Sequence, residues 1–206
     1  MRTAGLVITT MLGFACLLLA QESNRLDFSV SGAGVFSKTS SSNNGRVTDA
    51  PTKSIEYFGS VRYHLASKHA VEVNVGHTTN SQIFSVSPNS FRVISSITEF
   101  SGAYVFSPCS CKKLQPFIFA GVGALRFSPG NTYIDTFPAS FGAAQQTSLA
   151  YLYGGGADYH LWRKLALRLE YRGLIYKVPD FNVPAFLFTG ARGHMAEPAA
   201  GIVVKF

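Results

Sequence analysis

Ten charged side chains in this 206-residue sequence stand singly among apolar and aromatic neighbours: Asp27, Glu56, Glu72, Glu99, Asp158, Glu170 and Glu197, with Arg62, Arg168 and Arg172. Isolated acids and bases of this kind can pair with one another away from water, or serve as general acids and bases. Histidines His64, His77, His160 and His194 and many serines supply further parts. A nucleophilic site needs a Ser, a His base and an acidic orienter within hydrogen-bond reach. For His64 and His160 the better reading is a histidine bonded to a neighbouring carboxylate; His77 has Thr78, Thr79 and Ser81 beside it. Cys109 and Cys111 are too close in sequence for an unstrained bridge and have no adjacent His or Cys to complete a metal site. A strained local disulfide and a reduced pair both stay open. Gly154–Gly156 is not a phosphate loop, because no Lys-Ser/Thr follows it; glycine in a strand makes room for a bulky neighbour or for curvature.

The elements that carry these residues show in Leu165–Tyr176, LALRLEYRGLIY. Leu165, Leu167, Leu169, Tyr171, Gly173 and Ile175 alternate with Ala166, Arg168, Glu170, Arg172, Leu174 and Tyr176. A strand turns successive side chains to opposite faces. One face is therefore apolar and ends in aromatics, and the other carries charges of both signs, which suits lipid outside and a polar interior.

Eight such strands are predicted: Leu26–Phe36, Ile55–Ala66, Ala70–Thr79, Ile97–Ser107, Pro116–Phe127, Ser148–Leu161, Leu165–Lys177 and Met195–Phe206. Each is long enough to cross the hydrocarbon, which takes about 9–11 tilted residues. Their connections alternate in length. Ser37–Ser54, Asn80–Ser96, Ser128–Thr147 and Val178–His194 are long; Ser67–His69, Pro108–Gln115 and Trp162–Lys164 are short. The fold class expected is all-β, an eight-stranded antiparallel up-and-down transmembrane β-barrel, closed so that no strand edge meets lipid.

The strand carboxylates all have apolar or aromatic neighbours at ±1, so they share the face opposite the lipid, as do Arg62, His64, His160, Arg168, Arg172 and Lys205. A cation facing the bilayer midplane costs about 2–4 kcal/mol, which inward pairing avoids. An eight-stranded interior is just wide enough for side chains to fill it. The expectation is an ion-paired network rather than an open channel. Pro116–Phe127 resists phasing, since both of its faces are apolar or small. Tyr63, Phe106, Tyr159, Trp162 and Phe206 fall near the short turns, at headgroup level.

Met1–Ala20 reads as a cleaved signal peptide, with Arg2 before an apolar run at Leu6–Leu19. Cys16 is carried in that run, without the Leu three residues earlier that a lipoprotein signal would show. Residues 21–206 form one domain. The formal charge is +7, but the basic residues do not cluster as nucleic-acid binding requires. Lys68, Lys112, Lys113, Arg163 and Lys164 sit in short connections, where they meet anionic headgroups or are simply solvated.

Three motifs carry a family resemblance: Pro116-Phe117-Ile118-Phe119-Ala120-Gly121-Val122-Gly123, Gly154-Gly155-Gly156-Ala157-Asp158-Tyr159 and Gly201-Ile202-Val203-Val204-Lys205-Phe206. In this order across the chain they resemble the small eight-stranded outer-membrane barrels of the OmpA/OmpX type, the porin-like "outer membrane protein beta-barrel domain" family. The resemblance implies a bacterial outer-membrane location, with short periplasmic turns and long extracellular loops. It further implies outer-membrane lipid and lipopolysaccharide as surroundings and a monomeric state. Gly201, Val204 and Phe206 would be read by the barrel-assembly machinery, although Ala199 stands where that signal prefers a polar residue. No peptidoglycan-binding module is expected after Phe206. No cofactor or metal is expected, and no nucleic acid.

The loops carry aromatics. Phe137, Phe141, Phe181, Phe186 and Phe188 are candidates for a surface that binds a host or surface ligand, since exposed apolar clusters mark interaction sites. The alternative is that these rings pack on one another over the barrel mouth. The expected role is non-catalytic: envelope integrity with surface adhesion or partner binding. Against it stand a narrow diffusion pore and a lipid A-modifying enzyme, although the deacylase arrangement His-x-Ser-Asn does not occur in the sequence.

Overall fold

The computed structural model describes residues 25–42, 45–109, 113–183 and 187–206. The signal segment Met1–Ala20, Cys111 and Phe186 lie outside these. Eight long strands close into a barrel: β1 (Leu26–Ser37), β4 (Ser54–Ala66), β5 (His69–Val86), β6 (Asn89–Phe106), β7 (Leu114–Ile134), β9 (Gln146–Trp162), β10 (Leu165–Lys177) and β11 (Arg192–Lys205). Each is antiparallel to both neighbours, and β1 pairs with β11 to complete the ring. Three short strands, β2 (Ser40–Ser41), β3 (Thr48–Asp49) and β8 (Phe137–Pro138), lie within the long connections.

Alternation decides which way each strand faces. On β10, Arg168, Arg172 and Leu174 are buried while Leu167, Leu169 and Tyr171 are exposed. On β5, Val71, Val73 and Val75 point outward between Glu72 and Asn74. The strand that resisted phasing, β7, turns Phe117, Phe119, Leu125 and Phe127 inward and Ile118 and Val122 outward. Its inward face is apolar because of what it meets inside the barrel, which one strand's sequence cannot show.

The connections between β5 and β6 and after β7 differ from expectation. Asn80–Ser96 is not a loop. The ladder runs on from Asn80↔Ser95 to Val86↔Asn89, and only Ser87 and Pro88 lie between the strands. The ladder outcompetes a coil here because alternation persists: Asn80, Gln82 and Phe84 are buried on one side. β7 likewise continues to Ile134, well beyond Phe127, and pairs with β8. The barrel is thus taller on one side, with β5, β6 and β7 at 18, 18 and 21 residues against 12 for β1 and 13 for β10. The β2–β3 hairpin leans on the raised wall through Thr48↔Ser85 and Asp49↔Phe84.

Gly154 and Gly156 show why glycines recur in the wall. A Cβ on Gly154 would sit 2.5 Å from the Phe119 ring, and one on Gly156 would sit 2.7 Å from the Glu170 Cβ. Both make room for inward-pointing neighbours on adjacent strands.

Candidate functional site: a filled lumen under an aromatic mouth

The sequence's charged residues converge in two belts inside the barrel. In the lower belt, Arg168 donates from Nε and Nη2 to the two oxygens of Asp158, at 2.7 and 3.0 Å, and from Nη1 to Glu72 at 3.1 Å. Arg62 donates from Nε to the same Glu72 oxygen at 2.7 Å and approaches Asp158 at 3.6 Å. The Phe117 ring lies under both guanidiniums, 4.3 Å from Arg62 and 5.1 Å from Arg168, a cation–π arrangement that desolvation strengthens. Neighbouring strands place Arg62 opposite Glu72 and Arg168 opposite Asp158. The Arg168–Glu72 and Arg62–Asp158 contacts cross the lumen between strands that do not pair.

The upper belt is less evenly matched. Arg172 donates to Glu99 at 2.5 Å, lies 3.7 Å from Glu197 and stacks 4.1 Å over Phe58. Glu99 also accepts from Ser101 at 2.6 Å. Oxygens of Glu56, Glu99 and Glu197 come within 4.8 Å of one another, a spacing a cation could use. The Arg172 guanidinium beside Glu99 and Glu197 supplies positive charge there. Glu170 is buried in the same region and, among the described residues, makes no ion pair. All ten charged residues singled out in the sequence are therefore buried inside the barrel.

Above the belts the filling becomes apolar. Phe181 packs edge-on against Phe84 and Phe127, at 6.2 and 6.3 Å between centroids, and Phe127 lies 5.8 Å from Tyr176. Leu174, Leu187 and Met195 complete a plug with no more than 1% exposure. Phe181 enters it from the β10–β11 connection in a left-handed conformation, φ 51°, which is rare for a bulky residue. The Gln146 side chain secures that turn, accepting from the backbone N–H groups of Asp180 and Phe181 at 3.0 and 2.9 Å.

The loop aromatics divide accordingly. Phe181 is fully buried, and Phe141 is half-buried against Phe91 at 5.6 Å. Phe137 and Phe188 are 76% and 48% exposed. Of the other residues buried here, Leu174 and Tyr176 stand on the inward face that alternation assigns them, and Phe84 and Phe91 belong to Asn80–Ser96, where the sequence predicts a loop carrying aromatics. For Phe84 and Phe91 the available signal was alternation running into Ser87-Pro88, a turn pair.

Among the described residues, His64, His77 and His194 make separate hydrogen bonds rather than one shared cluster. His64 bonds the Asp27 carboxylate at 2.8 Å. On the outer face, His77 meets Thr98 at 3.4 Å and His194 meets the Tyr153 hydroxyl at 2.7 Å. Among the described residues neither outer pair includes a carboxylate to orient the ring. Cys109 is disulfide-bonded.

At the C-terminus, Gly201 pairs with Ser31 on one side and Arg168 on the other, and Val204 with Phe28 and Leu165. Phe206 is exposed and packs edge-on against Phe28 at 5.6 Å. Gly201 and Val204 thus lie on β11, the strand that closes the barrel, and Phe206 directly follows it.

Several solved barrels have the same fold. Neisserial surface protein A is 16% identical, with a TM-score of 0.56 over 88% of this chain and 97% of that one. OprG from Pseudomonas aeruginosa is 13% identical, with a TM-score of 0.57 over 89% and 97%. Ail, the attachment invasion locus protein of Yersinia pestis, is 14% identical, with a TM-score of 0.50 over 89% and 99%. No curated protein matches by sequence. The family model for the outer membrane protein beta-barrel domain matches residues 7–191, and the chain belongs to that family of bacterial outer-membrane barrels.

Proposed function

We propose that this barrel is a closed, non-catalytic outer-membrane scaffold whose long-loop end binds a partner at the cell surface. One observation carries the first half. Arg168 and Arg172 are 1% exposed, locked among carboxylates, and the aromatic plug lies directly above them. A diffusion pore needs a wet path past these groups, and an ion-paired guanidinium in a low-dielectric interior is costly to move aside.

Charge supports the binding role. Lys38, Arg46, Lys53, Arg92, Lys177 and Arg192 are exposed around the long-loop end, against the exposed Asp135, the half-buried Asp180 and the buried Asp49. Such a rim attracts polyanions at long range. Ail has been solved with the heparin analogue sucrose octasulfate, and the rim here suits the same chemical class, an anionic surface glycan. Phe137 and Phe188 add exposed rings for sugar faces. We infer that residues 21–206 form the barrel domain after removal of a signal peptide, and that it acts as a monomer.

The test has two parts on refolded protein with a heat-modifiable gel shift. Planar-bilayer recordings are expected to stay silent, and steady resolved openings would overturn the closed scaffold. Binding to immobilised heparin is expected to weaken steeply with salt and with Arg92→Gln plus Arg192→Gln. Salt-independent retention, or none at low salt, would refute the glycan reading.

A further inference from the structure

The outer wall of the barrel carries an open groove of about 330 Å³ at its long-loop end, spanning β9, β10 and β11. Strand register orders its lining by height. Lys177 pairs with Arg192 on one side, and Leu149 flanks it on the other, one residue above the Ala150↔Tyr176 pair. Tyr151 and Ile175 pair in the row beneath. Leu149, Tyr151, Lys177 and Arg192 are exposed, and Ile175 is half-buried. Cations therefore stand at the loop end of an apolar and aromatic surface. A lipid presents phosphate and acyl chain in the same order to a wall that spans its leaflet.

The two cations are placed against their own repulsion. Like charges directly opposite one another weaken a strand pair, and an anion between them reverses that effect. Among the described residues neither side chain forms an ion pair, and Lys177 Nζ lies 5.8 Å from the Phe188 ring. The described carboxylates at this end are engaged elsewhere. Asp49 accepts from Gln82, Asp135 from Ser90, and Asp180 from the backbone N–H of Asn182. A guanidinium fork beside an ammonium matches the oxygens of a phosphate.

We propose that this groove seats one phosphate-bearing lipid of the leaflet at the long-loop end, with its phosphate between Lys177 and Arg192 and an acyl chain over Tyr151 and Ile175. Lys177 and Arg192 also belong to the basic rim assigned to a surface glycan. The two readings are separable all the same: Tyr151 belongs to the groove alone, and Arg92, on the raised wall, to the rim alone.

The experiment titrates diphosphoryl lipid A into the refolded barrel in dodecyl maltoside micelles and counts the lipid retained per barrel by native mass spectrometry. Saturation at one lipid is expected. Lys177→Gln should weaken retention about tenfold, the loss of one charge-assisted hydrogen bond, and adding Arg192→Gln should weaken it further. Tyr151→Ala should weaken lipid retention and leave heparin retention unchanged, whereas Arg92→Gln should do the reverse. All four positions are exposed, so the heat-modifiable gel shift should persist in every variant. Failure of the wild type to bind heparin would remove the glycan reading and leave the lipid titration standing. No saturable retention, or equal weakening by Arg92→Gln, would overturn the proposal. Equal retention of lipid A stripped of its phosphates would do the same, as would displacement by excess inorganic phosphate, which would reveal a site for free anions.

Discussion

The middle of the barrel and its long-loop mouth are both filled, but by opposite means. In the middle, strands alone supply Arg62, Glu72, Asp158 and Arg168, and each guanidinium is held by at least two partners from opposite walls. At the mouth, strands and connections together supply Phe84, Phe127 and Phe181, which meet through ring contacts. The difference teaches that charges can fill a lumen only where rigid strands fix their geometry. Directional pairs tolerate little displacement, whereas apolar rings repack when a connection shifts. The strands therefore carry the polar filling, and the loops can vary at the surface without unfolding the barrel.

The strongest way to break this contrast is Arg168→Ala. It leaves Asp158 and Glu72 facing each other with only Arg62, and removing one partner of a buried ion pair costs about 3–5 kcal/mol. The midpoint of denaturant unfolding, read by gel shift, should fall accordingly. A loss comparable to a surface substitution would show that the belt is wet. Phe181→Ala should cost less, about 3 kcal/mol, and should raise protease cleavage in the β10–β11 connection while the strands stay protected. Joint loss of strand protection would show belt and mouth to be one cooperative unit.

Asp49 sharpens the contrast within the mouth. Burial pushes its carboxyl from 3.8 up to about 8. Gln82 acts against this: with its amide nitrogen turned toward Asp49, it donates to both carboxylate oxygens, at 3.1 and 2.7 Å. A carboxyl raised in the folded state stabilises the docked β2–β3 hairpin fully below the unfolded value near 3.8. That contribution is lost as pH rises towards 8. Proteolysis between residues 41 and 48 should therefore increase severalfold from pH 5 to pH 9, and Asp49→Asn should flatten the profile. A flat wild-type profile would mean that the Gln82 bonds outweigh burial. The smallest stability effect belongs to Phe137→Ala, within about 0.5 kcal/mol as for other exposed sites, while heparin retention falls.

Much of the charged belt was legible from one strand at a time. The alternation in LALRLEYRGLIY puts Arg168, Glu170 and Arg172 on one face whatever they meet, and the apolar neighbours of Glu72 and Asp158 fix their phase in the same way. β7 was not legible, because Phe117 and Phe119 face inward only to lie beneath Arg62 and beside Gly154 on other strands. The raised β5–β6 hairpin was missed because Asn80, Ser81 and Gln82 look like loop residues until the wall they join is known.

What the sequence determined by itself was local: strand phase and the inward fate of ten charges, because side-chain direction in a strand depends only on its period of two; of the four connections predicted to be long, Asn80–Ser96 is instead a two-residue turn. Tertiary structure decided which charges meet across the lumen, and which loop aromatics become plug rather than surface. Phe181 and Phe137 are alike as residues and both lie in long connections, yet one is fully buried and the other 76% exposed. Closing the barrel brings strands distant in sequence to opposite walls of one narrow space, and those distances are set by the whole ring of strands.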